Sequence, residues 1–285
     1  MHYDYDYALA GATGQIGSVL LKYLEKVGNV CVIERDEDLR HTPSAVHVVN
    51  AAGYTKFDDR VERYWDDNIR YAVKLANYAK SRNSRFHQLS SEAVAEFRTT
   101  VMPETLNAPI AHPSMIDYAL SKVLTERAVS TIIDERNLFT YRCSDVVPGP
   151  GQIDRQWRRN HWLSILFSAG KRGFDPGDDF PVWIATVEDV AKRIQMLIDT
   201  NRPGAYHLLG NVYTWGLFQE YALENALPGA ITRRLVEQVT PVIRIDPPLA
   251  HCIRQENKAS WTHLNEAYWQ EYAEKSMELT RRRSA

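Results

Sequence analysis

Gly11-Ala12-Thr13-Gly14-Gln15-Ile16-Gly17 follows a short β-leaning run, Tyr5 to Ala10, and opens a segment in which Ile16, Val19, Leu20, Tyr23 and Leu24 recur at helical spacing up to Gly28. Strand, glycine turn and helix in that order are one unit of an α/β sheet. Glycines at such a turn permit a tight bend, let the backbone approach a pyrophosphate and let the helix pack close to the sheet. The N–H groups of the first helical turn then attract the anion. The spacing is GxxGxxG rather than GxGxxG. Taken alone, the turn is compatible with a plain loop as well as a nucleotide site, so the rest of the chain has to decide.

Working outward, Val30 to Ile33 reads as a second strand and Ala45 to Val49 as a third. Val61 to Lys80 carries Tyr64, Ile69, Ala72, Val73 and Ala76 at helix period, and Phe86 to Leu89 is the next strand. Met115 to Ile133 reads as a long amphipathic helix, followed by a strand at Phe139 to Arg142. Strands alternating with helices predict an α/β fold, a doubly wound parallel sheet covered on both faces. After Pro148 the chain is richer in Pro, Gly and Trp, with helices expected near Val187–Thr200 and Trp215–Leu227 and an arginine-rich tail. The expected division is residues 1–148 as a dinucleotide-binding domain and 149–285 mainly as a smaller C-terminal substrate lobe. Later strands near 182–186 and 205–209 are expected to complete the first domain's sheet.

A chain of 285 residues with 44% hydrophobic and 25% charged residues can bury a substantial core. Its net charge of -2, from 34 Lys+Arg against 36 Asp+Glu, points to neither nucleic acid nor an anionic membrane surface as partner. The opening Met1-His2-Tyr3-Asp4-Tyr5-Asp6 has no basic stretch leading into an apolar one. No later run approaches the roughly 18 apolar residues of a membrane helix, so a cytoplasmic location is expected. Cys31, Cys143 and Cys252 are an odd, widely spaced set without a CxxC pair, and read as buried thiols rather than a disulfide framework or a metal site.

The chemistry concentrates in Tyr118-Ala119-Leu120-Ser121-Lys122, where an i, i+4 pair places tyrosine and lysine on one helix face. A phenol with an unperturbed pKa near ~10 is a poor base at neutral pH unless a neighbouring cation favours the phenolate. Lys122 is the candidate cation. Ser91 follows the Phe86–Leu89 strand, where a hydroxyl can hydrogen-bond a substrate carbonyl or alcohol.

This ordered set resembles the extended short-chain dehydrogenase/reductase family, which includes nucleotide-sugar epimerases, dehydratases and reductases. The likeness runs from Tyr5 to about Ile198. Asn50-Ala51-Ala52-Gly53 matches the family's strand-end motif lining the cofactor's back, and Asn68 the asparagine of the following helix. Leu89-Ser90-Ser91 matches the catalytic serine strand, and Tyr118 and Lys122 the YxxxK pair. Arg142 to Gly149, with Cys143 and Val146, resembles the loop that closes on the nicotinamide, and Thr186 to Ala191 the family's late helix start. The resemblance implies a Rossmann-type fold that holds an NAD(P) cofactor through Gly11, Thr13, Gly14, Gln15, Ile16 and Gly17. It implies hydride exchange with a small-molecule substrate while Tyr118 exchanges the proton, Ser91 holds the substrate oxygen and Lys122 binds the nicotinamide ribose and keeps the Tyr118 pKa low. By the same likeness the long helices around 61–80 and 115–133 pair two subunits into a homodimer.

The chain departs from the family in four places. Counting from Gly11 puts Arg35 where an NAD enzyme carries a carboxylate, which favours NADP over NAD, although a register shift of one residue gives the position to Glu34 or Asp36. Only Asp36 to Ser44 separates the second strand from the third, so a strand and helix are missing and the adenine pocket must be built differently. In this the chain is more similar to dTDP-4-dehydrorhamnose reductases. Glu92 and Ala93 stand where dehydratases carry an Asp-Glu pair, and Glu92 reads as a solvent-facing loop carboxylate, with an auxiliary acid as the alternative. Asp145 replaces the usual asparagine. Arg155, Arg158, Arg159 and His161 with Trp157 and Trp162 read equally as a grip for an anionic group or a solvated helix face. Three activities compete: a reductase of the dehydrorhamnose type, an epimerase with retained NAD, and a cofactor-binding protein without turnover.

Overall fold

Residue patterning places most of the elements of the computed structural model, which describes residues 2–55, 61–95, 104, 106, 117–152, 181–214, 261–265 and 267–272. In chain order these are β1 (Tyr5–Ala10), α1 (Gln15–Leu24), β2 (Val30–Ile33), β3 (Ala45–Asn50), α2 (Val61–Arg63), a π-helical stretch (Tyr64–Arg70) and α3 (Tyr71–Ser81). There follow β4 (Arg85–Ser91), a 3-10 turn (Glu92–Ala95), α4 (Asp117–Ile132), β5 (Leu138–Cys143), β6 (Asp145–Val147), β7 (Pro181–Thr186), α5 (Val187–Thr200), β8 (Gly204–Leu208) and β9 (Asn211–Thr214). Expected features at Arg155–Trp162, Trp215–Leu227, Cys252 and Arg281–Arg283 lie outside the described residues.

Six strands form one parallel sheet in the order β2-β1-β3-β4-β5-β8. Alternation along β1 explains why both faces are covered. Tyr7 and Leu9 point into a layer with Val19, Leu20 and Leu24 of α1 and Val190, Ile194 and Leu197 of α5. Ala8 and Ala10 point the other way, towards Tyr71, Ala72, Leu75 and Ala79 of α3 and Val129 of α4. From Tyr7 to Ala10 every residue is apolar and buried, so the strand is covered on both sides, as a doubly wound sheet requires. With only residues 34–44 between them, β2 and β3 flank β1 directly, and β2 is left as the edge strand.

One expectation is corrected. Pro181–Thr186 does not complete the main sheet; it lies between β6 and β9 in a separate three-stranded sheet, parallel to the first and antiparallel to the second. A strand-like run specifies a pleated, half-buried surface and not which edge it joins. The sixth strand of the main sheet is β8, hydrogen-bonded along β5. Helix α5 is started by Thr186, whose side chain accepts from the Asp189 N–H at 3.1 Å, with Glu188 and Asp189 placed favourably in its first turn. Asn201 ends it with φ of 53°. Among the described residues no helix is long and apolar enough to cross a membrane.

The sheet also buries a polar ladder. His47 Nδ1 lies 2.9 Å from His87 Nε2, and His87 Nδ1 lies 2.9 Å from the Tyr141 hydroxyl. Burial lowers the His47 pKa to about 4, with Arg85 adding to the shift and Asp6 opposing it. Burial likewise takes His87 well below the usual range, helped by His47 and Arg85. Both rings therefore fold neutral. A group whose folded pKa is depressed below its unfolded value stabilises above the unfolded pKa and loses that contribution as pH falls through the folded one. Thermal melts should show stability declining between about pH 6.5 and 4, by roughly 3 kcal/mol from His47 alone, with the decline reduced in His47→Phe. A flat profile over that range in the wild type contradicts the buried neutral ladder.

Candidate active site

Because β2 and β3 lie on opposite sides of β1, the chain diverges at the carboxyl end of β1 and leaves a crevice there. The glycine turn occupies that crevice. Gly11 has φ of +83°, and a Cβ on it would lie 2.5 Å from the Ala52 nitrogen. A Cβ on Gly17 would lie 2.0 Å from the Gly11 carbonyl oxygen, so turn and helix can approach this closely only as glycines. Gly14 is the N-cap of α1 and supplies no side-chain cap, which leaves the first N–H groups of the helix facing the crevice. Thr13 is exposed at the tip and Ile16 packs against the core below. Gln15 Nε2 donates to the Val146 carbonyl at 3.0 Å, tying β6 to the turn.

The next wall is Asn50-Ala51-Ala52-Gly53. Asn50 Nδ2 donates to Gln88 Oε1 at 3.0 Å and Asn50 Oδ1 accepts from the Ala52 N–H at 3.1 Å, so the buried side chain shapes its own strand exit. Asn68, on the π-helical stretch, accepts from the Tyr54 N–H at 2.6 Å and donates to the Tyr54 carbonyl at 3.1 Å and to Ser121 Oγ at 2.9 Å. Thr125 Oγ1, which donates to the Ser121 carbonyl at 2.7 Å, also lies 3.2 Å from the Asn68 carbonyl. One asparagine thus fastens the strand exit to α4. A Cβ on Gly53 would lie 3.3 Å from Lys122 Nζ, so this wall passes directly beside the lysine.

Ser91 is the last residue of β4 and pairs with Cys143 of β5. Its side chain hydrogen-bonds Tyr118, which burial holds well above the ordinary phenol range; the Ser91 bond opposes the shift, and Glu92, Cys143 and Asp145 add to it. Lys122 Nζ stands 5.6 Å from the Tyr118 ring centroid. Burial lowers the lysine to about 8, with Cys143 and Glu126 resisting. The expectation that Lys122 keeps the Tyr118 pKa low is therefore corrected for the protein alone: burial dominates the phenol, and the ammonium against its ring does not hold it down. Tyr118 is a protonated phenol at neutral pH, which suits a proton donor. The sequence-predicted trio of Ser91, Tyr118 and Lys122 is brought together.

Beneath the trio runs a network that the sequence reading did not single out. Glu126, one turn beyond Lys122, accepts from Ser90 Oγ at 2.5 Å, from Arg142 Nε at 3.1 Å and from Arg142 Nη2 at 2.9 Å. The two side chains are 5% and 1% exposed, so this is a fully buried ion pair. Arg142 Nη1 also lies 3.2 Å from His207 Nε2 on β8. The spacing Tyr118, Lys122, Glu126 continues one helix face and is the signal that could have found Glu126. Arg142, expected both to end the Phe139–Arg142 strand and to open the closing loop, is a core residue of β5, and Asp145–Val147 of the expected loop form the short strand β6. Cys143 is buried there, its thiol raised to about 12 by burial and by Glu92.

Two further residues differ from expectation. Glu92 is not a solvent-facing carboxylate: its Oε2 is buried, without a hydrogen-bond partner among the described residues. Burial first and Asp145 second push its pKa well above the carboxylate range, which favours the protonated acid beside Ser91. Arg35 is half-exposed just beyond β2, as the cofactor argument needs, yet its Nη1 is paired with Asp67 of the π-helical stretch. Among the described residues no group of three or more His, Cys, Asp or Glu could hold a metal ion.

The model of the NAD dependent epimerase/dehydratase family matches residues 7–169. No curated protein matches the chain in sequence. Among solved structures the chain is similar to the dTDP-4-dehydrorhamnose reductase of Bacillus anthracis in complex with NADP, at 17% identity over 97% of this chain and 99% of that one, with a TM-score of 0.58. It is similar to MoeE5 in complex with UDP-glucose and NAD, at 17% identity over 98% and 100% of the two chains, TM-score 0.61. It is also similar to a thiolation-reductase di-domain of an archaeal non-ribosomal peptide synthetase, at 16% identity over 95% and 75%, TM-score 0.67. At these identities the likeness is one of fold.

Removing one partner of a buried ion pair leaves the other charge uncompensated, so Glu126→Ala should cost about 3–5 kcal/mol in urea unfolding; a loss below ~1 kcal/mol contradicts the burial of the pair. Glu92 gives the opposite sign. A folded pKa raised above the unfolded value contributes stability below about pH 4.5 that is lost as pH rises. Glu92→Gln should therefore raise the melting temperature at pH 8 more than at pH 4, and an equal change at both would show Glu92 ionised in the fold.

Proposed function

The chain belongs to the NAD dependent epimerase/dehydratase family, and from that premise we propose that it is an NADP-preferring oxidoreductase reducing a small-molecule or activated-sugar carbonyl. The observation that carries this reading is the Tyr118 hydroxyl hydrogen-bonded to Ser91, with Lys122 packed against the ring, at the crevice formed by the glycine turn.

The residues present fit a nicotinamide dinucleotide. The uncapped start of α1 and the glycine approach at Gly11 and Gly17 would take the pyrophosphate. Asn50 to Gly53 would line the cofactor's back, Asn68, Cys143 and Val146 would frame it, and Lys122 would hold the nicotinamide ribose. When bound, the cofactor supplies a hydride to the substrate carbon. Tyr118 gives the proton from its Oη to the substrate oxygen, which Ser91 Oγ holds by hydrogen bond. Carbonyl, hydride and proton together make the alcohol. The resulting phenolate lies beside the Lys122 ammonium, which offsets its charge in a site where water cannot. Asn68, through Ser121, keeps the helix that carries both residues in register.

The NADP preference rests on Arg35, and the sugar class on the fold likeness to proteins that bind NADP or NAD with UDP-glucose. Titration with NADPH and NADH, followed by thermal stabilisation, tests the first, since a ligand bound only by the native state raises its melting temperature. A panel of nucleotide-linked 4-ketosugars with NADPH tests the second. Tyr118→Phe should keep the NADPH-induced stabilisation and lose about 10²–10⁴-fold in turnover. Wild-type protein that retains oxidised cofactor and consumes no NADPH would favour the epimerase reading; stabilisation without turnover would leave a binding role.

A further inference from the structure

Only residues 34–44 join β2 to β3, and Arg35 in that connection meets the start of the long helix at Asp67. Asp67, on the π-helical stretch, has a side chain only 11% exposed, and its two oxygens serve two different arginines. Oδ1 pairs with Arg35 Nη1. Oδ2 accepts from Arg63 Nε at 2.7 Å and lies 2.5 Å from Arg63 Nη2. Each guanidinium is also laid over a tyrosine: Arg35 stands 5.5 Å from the Tyr71 ring centroid and Arg63 stands 5.1 Å from that of Tyr54. Both arginine side chains remain 44% and 49% exposed.

We propose that Arg35 and Arg63 form a two-armed cradle for the 2′-phosphate of NADP, with Asp67 as the residue that positions both arms. This rests on the nicotinamide cofactor reading of the preceding section. An isolated surface arginine loses side-chain entropy when it binds an anion. Here the carboxylate and the two tyrosine faces already restrain both guanidinium groups, whose side chains remain about half exposed. Arg35 lies two residues beyond β2, whose neighbour β1 ends in the glycine turn, so the cradle sits where the ribose next to a bound pyrophosphate belongs.

The surroundings sharpen the consequence. Two arginines against Asp67 leave one net positive charge, yet Glu34 and Asp36 are exposed on either side of Arg35. Removing either arm leaves the cradle itself without net positive charge, and the exposed Glu34 and Asp36 then favour the free ribose hydroxyls of NAD over a phosphate dianion.

The test is the dissociation constants of the full chain for NADPH and NADH. Arg63→Ala should weaken NADPH by about tenfold to a hundredfold, the range of a lost charge-assisted hydrogen bond, and leave NADH unchanged or tighter. Arg63→Lys should fall between, because it keeps the charge without the fork. Asp67→Asn should lower the NADPH to NADH preference as well, a ratio that a merely structural loss would not move. Equal weakening of both dinucleotides in Arg63→Ala, no weakening, or a wild type that prefers NADH would overturn the cradle while the cofactor reading stands. A wild type that binds neither would overturn the cofactor reading and the cradle with it.

Discussion

The buried pair of Arg142 and Glu126 is the constraint on which the site depends. Neither charge can reach water, so each is held by the other and by Ser90 and His207, which come from different strands. Such a pair adds little net stability over apolar residues of the same size, but it tolerates almost no displacement. Helix α4 can therefore lie on the sheet in one register only. Tyr118 and Lys122 share the face of Glu126, and the same register carries the phenol to Ser91 at the end of β4.

From the opposite side Asn68 supplies the second restraint on α4. It spends its amide on the Tyr54 backbone and on Ser121, so the wall that would back a dinucleotide and the helix that bears the tyrosine cannot move independently. Its neighbour Asp67 faces away, to Arg35 and Arg63. One π-helical turn thus links the Arg35 and Arg63 pair with the helix that carries Tyr118, consistent with the tendency of such stretches to occur at functional sites.

Between these restraints burial sets the protonation of the site. Tyr118, Glu92 and Cys143 are all raised by burial, and Lys122 is lowered by it. Desolvation disfavours whichever form is charged, so all four are pushed towards neutrality. The protein alone holds a proton on the phenol rather than a phenolate, which is the state a reductase needs before the transfer.

The doubly wound fold was legible in the chain because it rests on local patterning. Glycines 11, 14 and 17 between a strand and a helix, period-2 and period-3.6 apolar runs, and the i, i+4 relation of Tyr118 and Lys122 are all properties of short segments. The short Asp36–Ser44 connection was equally plain, and with it the loss of a strand and helix. What local pattern could not carry was pairing between distant residues: Glu126 with Arg142, Asp67 with both Arg35 and Arg63, and β7 with β6 and β9 rather than with the main sheet. Nor could it say that Glu92 is buried or that Lys122 lies against the ring, because desolvation depends on what the whole fold stacks above a group. The sequence by itself determined most of the elements, their order and the candidate trio; the tertiary structure alone decided which charges meet and which are cut off from water, since both follow from through-space distance and burial, not from position along the chain.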